Sequence, residues 1–405
     1  MRTDYLSAQE AATRLGISLA TLYAYVSRGR IDSRPGADGR SREYSASDIE
    51  QLIERKQAGR GAAQGAAHSL AWGLPVMETR ISLIRSHGHY YRGESAIDLA
   101  QSGATLEETA RLLWDCGDHD PFATEAPSPW SEAITMLLRQ PHLPPLERTT
   151  AALPLLALDA AHAHSTDPLH RRNDAARLLR ETAALLCATQ PSAQPIHHVM
   201  ATSWSKNEAG LSNLVRGALV LCADHELNAS SFATRVAAST GASLHASVCA
   251  GLTTLSGPHH GGAAARAHAF IDDMLRERKA GDRVRERLRR GDALPGFGHP
   301  LYTDGDPRAT VLLNALHATR PAPTHLFRIQ QLVETVQAQC GRRPNLDFAL
   351  AAMASSYELG ADVALAIFAA GRMAGWLAHA LEQQEGGSLI RPRASYVGRM
   401  PIREG

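Results

Sequence analysis

Between Gln57 and Ala67 the chain reads QAGRGAAQGAA, eleven positions without one large apolar side chain. A segment with nothing to bury cannot join a core, so it reads as a linker. It divides the chain into a front module over 1–56, a linker over 57–70 and a body over 71–405, and each piece must bury its own apolar side chains. The chain has 405 residues, which gives the body ample length for a substantial core. Its formal net charge of +1 provides no global field toward nucleic acid or anionic membrane. Any DNA contact must come from a local patch.

The opening, MRTDYLSAQE, lacks the apolar core of a secretion signal. Apolar stretches such as Ala349–Ala354 and Val363–Ala370 are too short to span a bilayer and read as core helices, so no membrane partner is expected. The cysteines, Cys116, Cys187, Cys222, Cys249 and Cys340, are widely spaced and form no C-x-x-C pair. That argues against a disulfide framework or a zinc site and fits a reducing cytoplasm.

The body predicts an almost all-α fold. Apolar residues recur at helical spacing over Leu99–Leu113, and Thr105-x-x-Glu108 is a capping box that opens a helix. Ala175–Cys187, Leu211–Ala223, Phe232–Ala238 and Ala361–Glu385 also read as helices, the last with Gly371 and Gly375 inside it. Alternating β-branched runs are scarce. Ile81–Ile84 with Tyr90–Arg92 is the best hairpin candidate.

The front module carries three helix starts. Ser7-x-x-Glu10 is a capping box, Gly16-Ile17-Ser18 makes a tight turn into a second helix, and Ser45 caps a third through Ile49, Leu52 and Ile53. Arg34–Arg42 reads as a hairpin-like wing with its turn at Asp38-Gly39. In A-A-x-x-L-G-I-S-x-x-T-L-Y (Ala11–Tyr23) and R-x-Y-x-x-x-D-I (Arg42–Ile49) the module resembles the winged helix-turn-helix of the MerR and excisionase families. The resemblance implies DNA as a partner. Thr21, Tyr23 and Tyr25 would then face the major groove, and Arg28, Arg34, Arg40 and Arg42 would meet phosphates. Ten basic against eight acidic residues through Arg60 leave only +2, which equally suits a docking module.

Four segments of the body concentrate histidine, aspartate, arginine and glycine: Asp224–Ser230 (DHELNAS), Ser256–Ala263 (SGPHHGGA), Pro295–His299 (PGFGH) followed by Asp306-Pro307-Arg308, and Pro344–Phe348 (PNLDF). Glycine lets backbone approach a ligand closely. Gly261-Gly262 before an alanine run places His260 where a helix begins, a position that disfavours a second positive charge. A neutral imidazole there can donate a hydrogen bond to a developing oxyanion. Asp347 is the candidate base, and a base with two imidazoles is a kit for making and using an enol. No further histidine or carboxylate recurs at ligand spacing around His259-His260, so no metal is expected.

Taken together and in this order, D-H-E-x-N-A-S, G-P-x-H-G-G-A, G-F-G-H with D-P-R-A, and P-N-x-D-F resemble the citrate synthase family from about Leu74 to the C-terminus. The resemblance implies a mainly α homodimer with a large domain and a small mobile one, roughly His260–Ile367. It implies acetyl-CoA or propanoyl-CoA and oxaloacetate as substrates. No cofactor is implied, because CoA arrives as part of a substrate. By this resemblance Asp347 deprotonates the thioester, His260 stabilises the enol or enolate, and His299 hydrogen-bonds the ketone. His225, Arg308 and Arg372 hold carboxylates, Arg391 is donated across the dimer interface, and Asn228 and Ser230 support the site.

Two stretches depart from the family pattern. Ala264-Ala265 follows H-G-G-A, where Asn or His and then Glu are usual. The stretch after G-F-G-H, Pro300–Gly305, is short of the basic residues that would meet CoA phosphates. Three functions fit: a citrate or 2-methylcitrate synthase, a metabolite-sensing DNA-binding regulator built on a synthase body, and a lyase running similar chemistry backwards.

Overall fold

A computed structural model describes residues 5–394 and 398, apart from 29, 37–40, 47, 50–51, 54–76, 86, 124–127, 141, 206–208, 278–279 and 320–321. The chain packs as two compact units, Met1–Thr79 with Pro392–Gly405, and Arg80–Arg391. The expected linker, 57–70, falls wholly outside the described residues.

In the first unit, β1 (Tyr5–Ser7) leads into α1 (Ala8–Leu15) and α2 (Leu19–Ser27), and β2 (Ser33–Pro35) and β3 (Arg42–Ser45) follow. Ser7 and Glu10 close the expected capping box, and Gly16 ends α1 at φ 60°, a left-handed value that glycine adopts without steric cost. Ser18 caps α2, and the Ser45 hydroxyl accepts the Asp48 N–H at 3.3 Å, as the third helix start requires. β2 and β3 form the predicted wing, whose Asp38-Gly39 turn lies outside the described residues. The strand β1, too short to show periodicity, was not anticipated; it completes a sheet of order β1-β3-β2. Leu15, Leu22, Ile31, Tyr44 and Ile49 fill this unit's own core.

The second unit opens on the predicted hairpin, β4 (Ser82–Arg85) paired with β5 (Gly88–Tyr91), to which the two-residue β6 (Glu94–Ser95) adds. Helices follow: α3 (Ala96–Ser102), α4 (Leu106–Leu113), α5 (Glu132–Leu138), α6 (Pro145–Asp159), α7 (Pro168–Leu186), α8 (Ile196–Trp204), α9 (Ala209–Cys222) and α10 (Ala229–Ser239). Then come α11 (Leu244–Leu255), α12 (Gly262–Arg276), α13 (Ala280–Arg290), α14 (Pro307–Thr319), α15 (Pro323–Cys340), α16 (Leu346–Ser356) and α17 (Ala361–Gly386). The run expected over Leu99–Leu113 is two helices: Gly103 caps α3 at φ 98°, and Thr105 restarts the chain with its capping box.

Among the described residues α17 alone is long and apolar enough to cross a membrane, and 89% of its apolar window is buried inside the protein. It is the central core helix. Gly371 and Gly375 let it lie against the end of α9: a Cβ at Gly371 would stand 2.7 Å from the Leu219 carbonyl oxygen, and one at Gly375 2.3 Å from that of Ala223. All five cysteines are free thiols.

Candidate active site

The loop between α9 and α10 is a sharp turn. Glu226 sits at φ 57°, left-handed for a residue with a Cβ. Asp224, fully buried, holds the turn: its Oδ2 accepts the Glu226 N–H at 3.1 Å and the Ser82 hydroxyl, and its Oδ1 accepts from His379 Nε2 at 3.1 Å. Burial would raise this carboxyl, but His379, Arg372 and Ser82 together hold it below the usual range. His225 is thereby presented between two fixed residues.

His225 meets Tyr302 and His299. Its Nε2 lies 3.0 Å from the Tyr302 hydroxyl, and its ring centroid is 5.6 Å from that of His299. The Arg308 guanidinium stands 5.4 Å from the Tyr302 ring. Asp306 fixes Arg308 through Nε at 2.9 Å and Nη2 at 2.8 Å, a buried bidentate pair. The same carboxylate accepts the Leu346 N–H at 3.0 Å, at the first residue of α16, so one side chain ties Arg308 to the helix that carries Asp347.

A second tie brings His299 alongside. Phe297 bridges Pro344, the Gly298 N–H donates to the Arg343 carbonyl at 2.8 Å, and the Asn345 N–H donates to the Gly296 carbonyl at 2.9 Å. Gly296 is required here: it sits at φ 83°, and a Cβ would stand 2.8 Å from that of Phe348. The P-G-F-G-H and P-N-x-D-F segments are thus one small backbone unit.

His260 lies just before α12, as expected, with Nε2 2.8 Å from the Ser230 hydroxyl. The Ser230 hydroxyl oxygen also lies 2.7 Å from Asn228 Oδ1, and Asn228 caps α10. Arg372 is 2% exposed, and its Nε donates to the Cys222 carbonyl at 2.8 Å.

Electrostatics sort these groups into roles. Burial pushes Asp347 up to about 6, against the pull of Arg308, Arg266 and Arg372. Burial, with the Arg372 charge, lowers His260 to about 4. Burial and Arg308 do the same for His299, also to about 4. His225 is driven well below its ordinary value by burial and then Arg308. All three imidazoles are therefore neutral near pH 7 and act as hydrogen-bond partners. His299 Nδ1 accepts the Leu301 N–H at 3.1 Å, so the proton of the neutral ring is on Nε2, ready to donate. A base near neutrality, neutral donors and buried guanidinium groups suit proton abstraction beside a carbonyl, with carboxylates held by arginine.

The structure therefore gathers His225, His260, His299, Arg308, Asp347 and Arg372 with Asn228 and Ser230. Arg391 is not among them; it is exposed near the end of the second unit. Tyr302 and His379 are site-building residues that the sequence did not single out, and Asp224 and Asp306 stood in its motifs without a role of their own.

In the front module the predicted DNA-facing set does not share one surface. Thr21 and Tyr25 are one helical turn apart, whereas Tyr23 points elsewhere, because residues two apart diverge on a helix. Tyr23 is 51% exposed, but Tyr25 packs on the module core and Thr21 is hydrogen-bonded to Ser18 at 2.9 Å. Arg34 pairs with Glu43 at 2.8 Å and lies over the Tyr5 ring, and Arg42 donates to the Ser33 carbonyl at 3.4 Å. Arg28 is exposed at the end of α2. Arg40 lies outside the described residues.

Comparison with known proteins agrees with both parts. Residues 69–393 match the family "Citrate synthase, C-terminal domain", and residues 5–57 match a helix-turn-helix domain family. Citrate synthase 2 of Bacillus subtilis is 37% identical over 45% of this chain and 50% of its own length. The citrate synthase of Haloferax volcanii is 39% identical over 46% of this chain and 50% of its own. The chain thus spans about half the length of these two curated relatives. The 2-methylcitrate synthase of Shewanella oneidensis is 30% identical over 81% of this chain and 94% of its own. Among solved structures, citrate synthase from Thermoplasma acidophilum, in ternary complex with carboxymethyl coenzyme A and oxaloacetate, superposes with a TM-score of 0.65. It is 24% identical and covers 82% of this chain and 96% of its own, a likeness of fold. With a family match running from 69 to 393 and a relative aligned over nearly its whole length, the chain belongs to the citrate synthase family.

Proposed function

We propose that the protein condenses acetyl-CoA with oxaloacetate to give citrate and CoA, the reading that Asp347 supports best. Asp347 is a carboxyl raised to about 6 in the first turn of α16, tied through Asp306 to Arg308 and lying in the fields of Arg308 and Arg372. Asp347 takes a proton from the α-carbon of the thioester, and His260 hydrogen-bonds the oxygen that gains charge. The enol carbon attacks the ketone carbon of oxaloacetate. His299 donates Nε2–H to the ketone oxygen and passes that proton to the new alkoxide. Water then cleaves the citryl-CoA thioester. His225, Arg308 and Arg372 hold the dicarboxylate, and no metal or organic cofactor takes part. Propanoyl-CoA in place of acetyl-CoA is the second reading, favoured by the likeness to the Shewanella oneidensis 2-methylcitrate synthase.

Release of CoA thiol with each acyl-CoA and oxaloacetate tests this. Release with acetyl-CoA is expected, a faster rate with propanoyl-CoA would favour the second reading, and no release with either would overturn both. Asp347→Ala should lose about 100- to 10,000-fold in turnover, the range for a general base, while its circular dichroism stays unchanged.

For the front module we propose DNA binding through the exposed Tyr23 and Arg28 with the β2–β3 wing. Binding that weakens steeply with salt is expected from phosphate contacts. Affinity indifferent to salt, or none, would make this a protein-docking module.

A further inference from the structure

Three side chains on one face of α17, at spacings of four and three residues, grip the α9–α10 loop and the helix ends that flank it. Arg372 donates to the Cys222 carbonyl at 2.8 Å, Trp376 Nε1 donates to the Ser230 hydroxyl at 3.2 Å, and His379 Nε2 meets Asp224 at 3.1 Å. Trp376 and His379 are fully buried.

We propose that this face is a clamp that positions two catalytic histidines separately: His379 sets His225 on the oxo-acid side, and Trp376 sets His260 on the thioester side. The inference rests on the reaction proposed above. Neither residue needs to touch substrate; each acts through a partner.

The His379 arm follows from hydrogen placement. Its Nδ1 accepts Arg235 Nε–H at 3.0 Å, so its proton is on Nε2 and points at Asp224. Arg235 is itself held by Glu382 and by Gln383 Oε1 at 3.3 Å. Asp224 in turn holds the left-handed Glu226 and so the His225 between them. A strained turn persists only where its surroundings over-determine it, and His379 is the side chain of the core helix that meets the carboxylate holding this turn.

The Trp376 arm also follows from counting protons. Ser230 has one proton and two acceptors in reach, Asn228 Oδ1 at 2.7 Å and His260 Nε2 at 2.8 Å. Asn228 Oδ1 already accepts the Ser231 N–H at 3.0 Å, so the hydroxyl can turn to His260, which leaves the imidazole proton on Nδ1, the nitrogen remaining to donate to an enolate oxygen. Trp376 N–H occupies a lone pair of Ser230 and keeps that oxygen within reach of His260. Packing of Gly251 on the Trp376 ring, where a Cβ would be 3.1 Å away, fixes the indole.

The test is steady-state kinetics of CoA release by the full chain with both substrates varied. His379→Leu should raise the KM for oxaloacetate about 10- to 100-fold, the cost of a lost hydrogen bond to a buried charge, with a smaller change for the acyl-CoA. His379→Gln, which offers an amide N–H to Asp224 and an acceptor to Arg235, should restore most of it. Trp376→Phe keeps the ring and removes the donor; kcat should fall about tenfold with the oxaloacetate KM near wild type. Hydrogen exchange of the Glu226 amide should quicken in His379→Leu and recover in His379→Gln. If both variants lose the same parameter in proportion to a lowered Tm, or if His379→Gln does not recover, the clamp is overturned while the reaction stands. If wild type releases no CoA thiol, the clamp falls together with the reaction it serves.

Discussion

Asp347 and the site histidines His260 and His299 titrate on opposite sides of their ordinary values, and this makes the pH dependence specific. Asp347 must be ionised to take a proton, so activity should be lost as pH falls through about 6. His260 and His299 gain a proton only near 4, so they do not set that limb. A kcat/KM profile with one ionisation near 6 is expected, and an acid limb near 4 would show that Asp347 is not the base. Asp306 raises Asp347, so Asp306→Asn should move the limb to lower pH as well as slow the reaction. The residues proposed to do the chemistry were legible because glycines and helix starts flank them in sequence. Those that place them were not. Asp306 reaches Leu346 across 40 positions, and His379 reaches Asp224 across 155. Nothing local marks such partners. His379 sits in the middle of a long apolar helix, where an ordinary buried histidine reads the same.

The helices were legible wherever apolar spacing ran unbroken, and the breaks were set by single residues whose backbone geometry the sequence only hints at. Gly103 split an expected helix because its left-handed φ stops α3 before Thr105 can open α4. In α17 the opposite happens: Gly371 and Gly375 sit in mid-helix, where glycine costs stability, and the packing shows why. They are the contact points with α9 and with the loop that begins at Ala223. Gly375→Ala should therefore destabilise, although alanine is the better helix former. A Cβ 2.3 Å from the Ala223 carbonyl oxygen and 2.5 Å from Asp224 Oδ1 forces the loop outward. Overpacking of this kind costs about 1–3 kcal/mol, and the shift should also raise the oxaloacetate KM by moving His225. Thermal unfolding with kinetics on the same sample checks both, and an unchanged Tm would mean the helix and loop can separate freely.

At the scale of the whole molecule, one expected site residue stands apart. Arg391 is exposed, beyond the end of α17, while the other arginines expected to hold carboxylates, Arg308 and Arg372, are 4% and 2% exposed. A guanidinium left in water contributes little to holding a dicarboxylate, because its charge is screened and its position is not fixed. Arg391 would serve this site when a second copy of the chain brings it there, and a two-fold dimer would do so reciprocally, each subunit completing the other. That makes a complementation experiment decisive. Asp347→Ala and Arg391→Ala homodimers should each be impaired, the first for want of a base and the second for want of a carboxylate partner. Co-expressed, the two chains form mixed dimers in which one site has both defects and the other has neither. Random pairing then restores roughly a quarter of the wild-type sites, well above either parent. If Arg391 instead worked within its own chain, every site in the mixed dimer would keep one defect. Activity would then stay at the average of the parents, and the donated arginine would have to be abandoned.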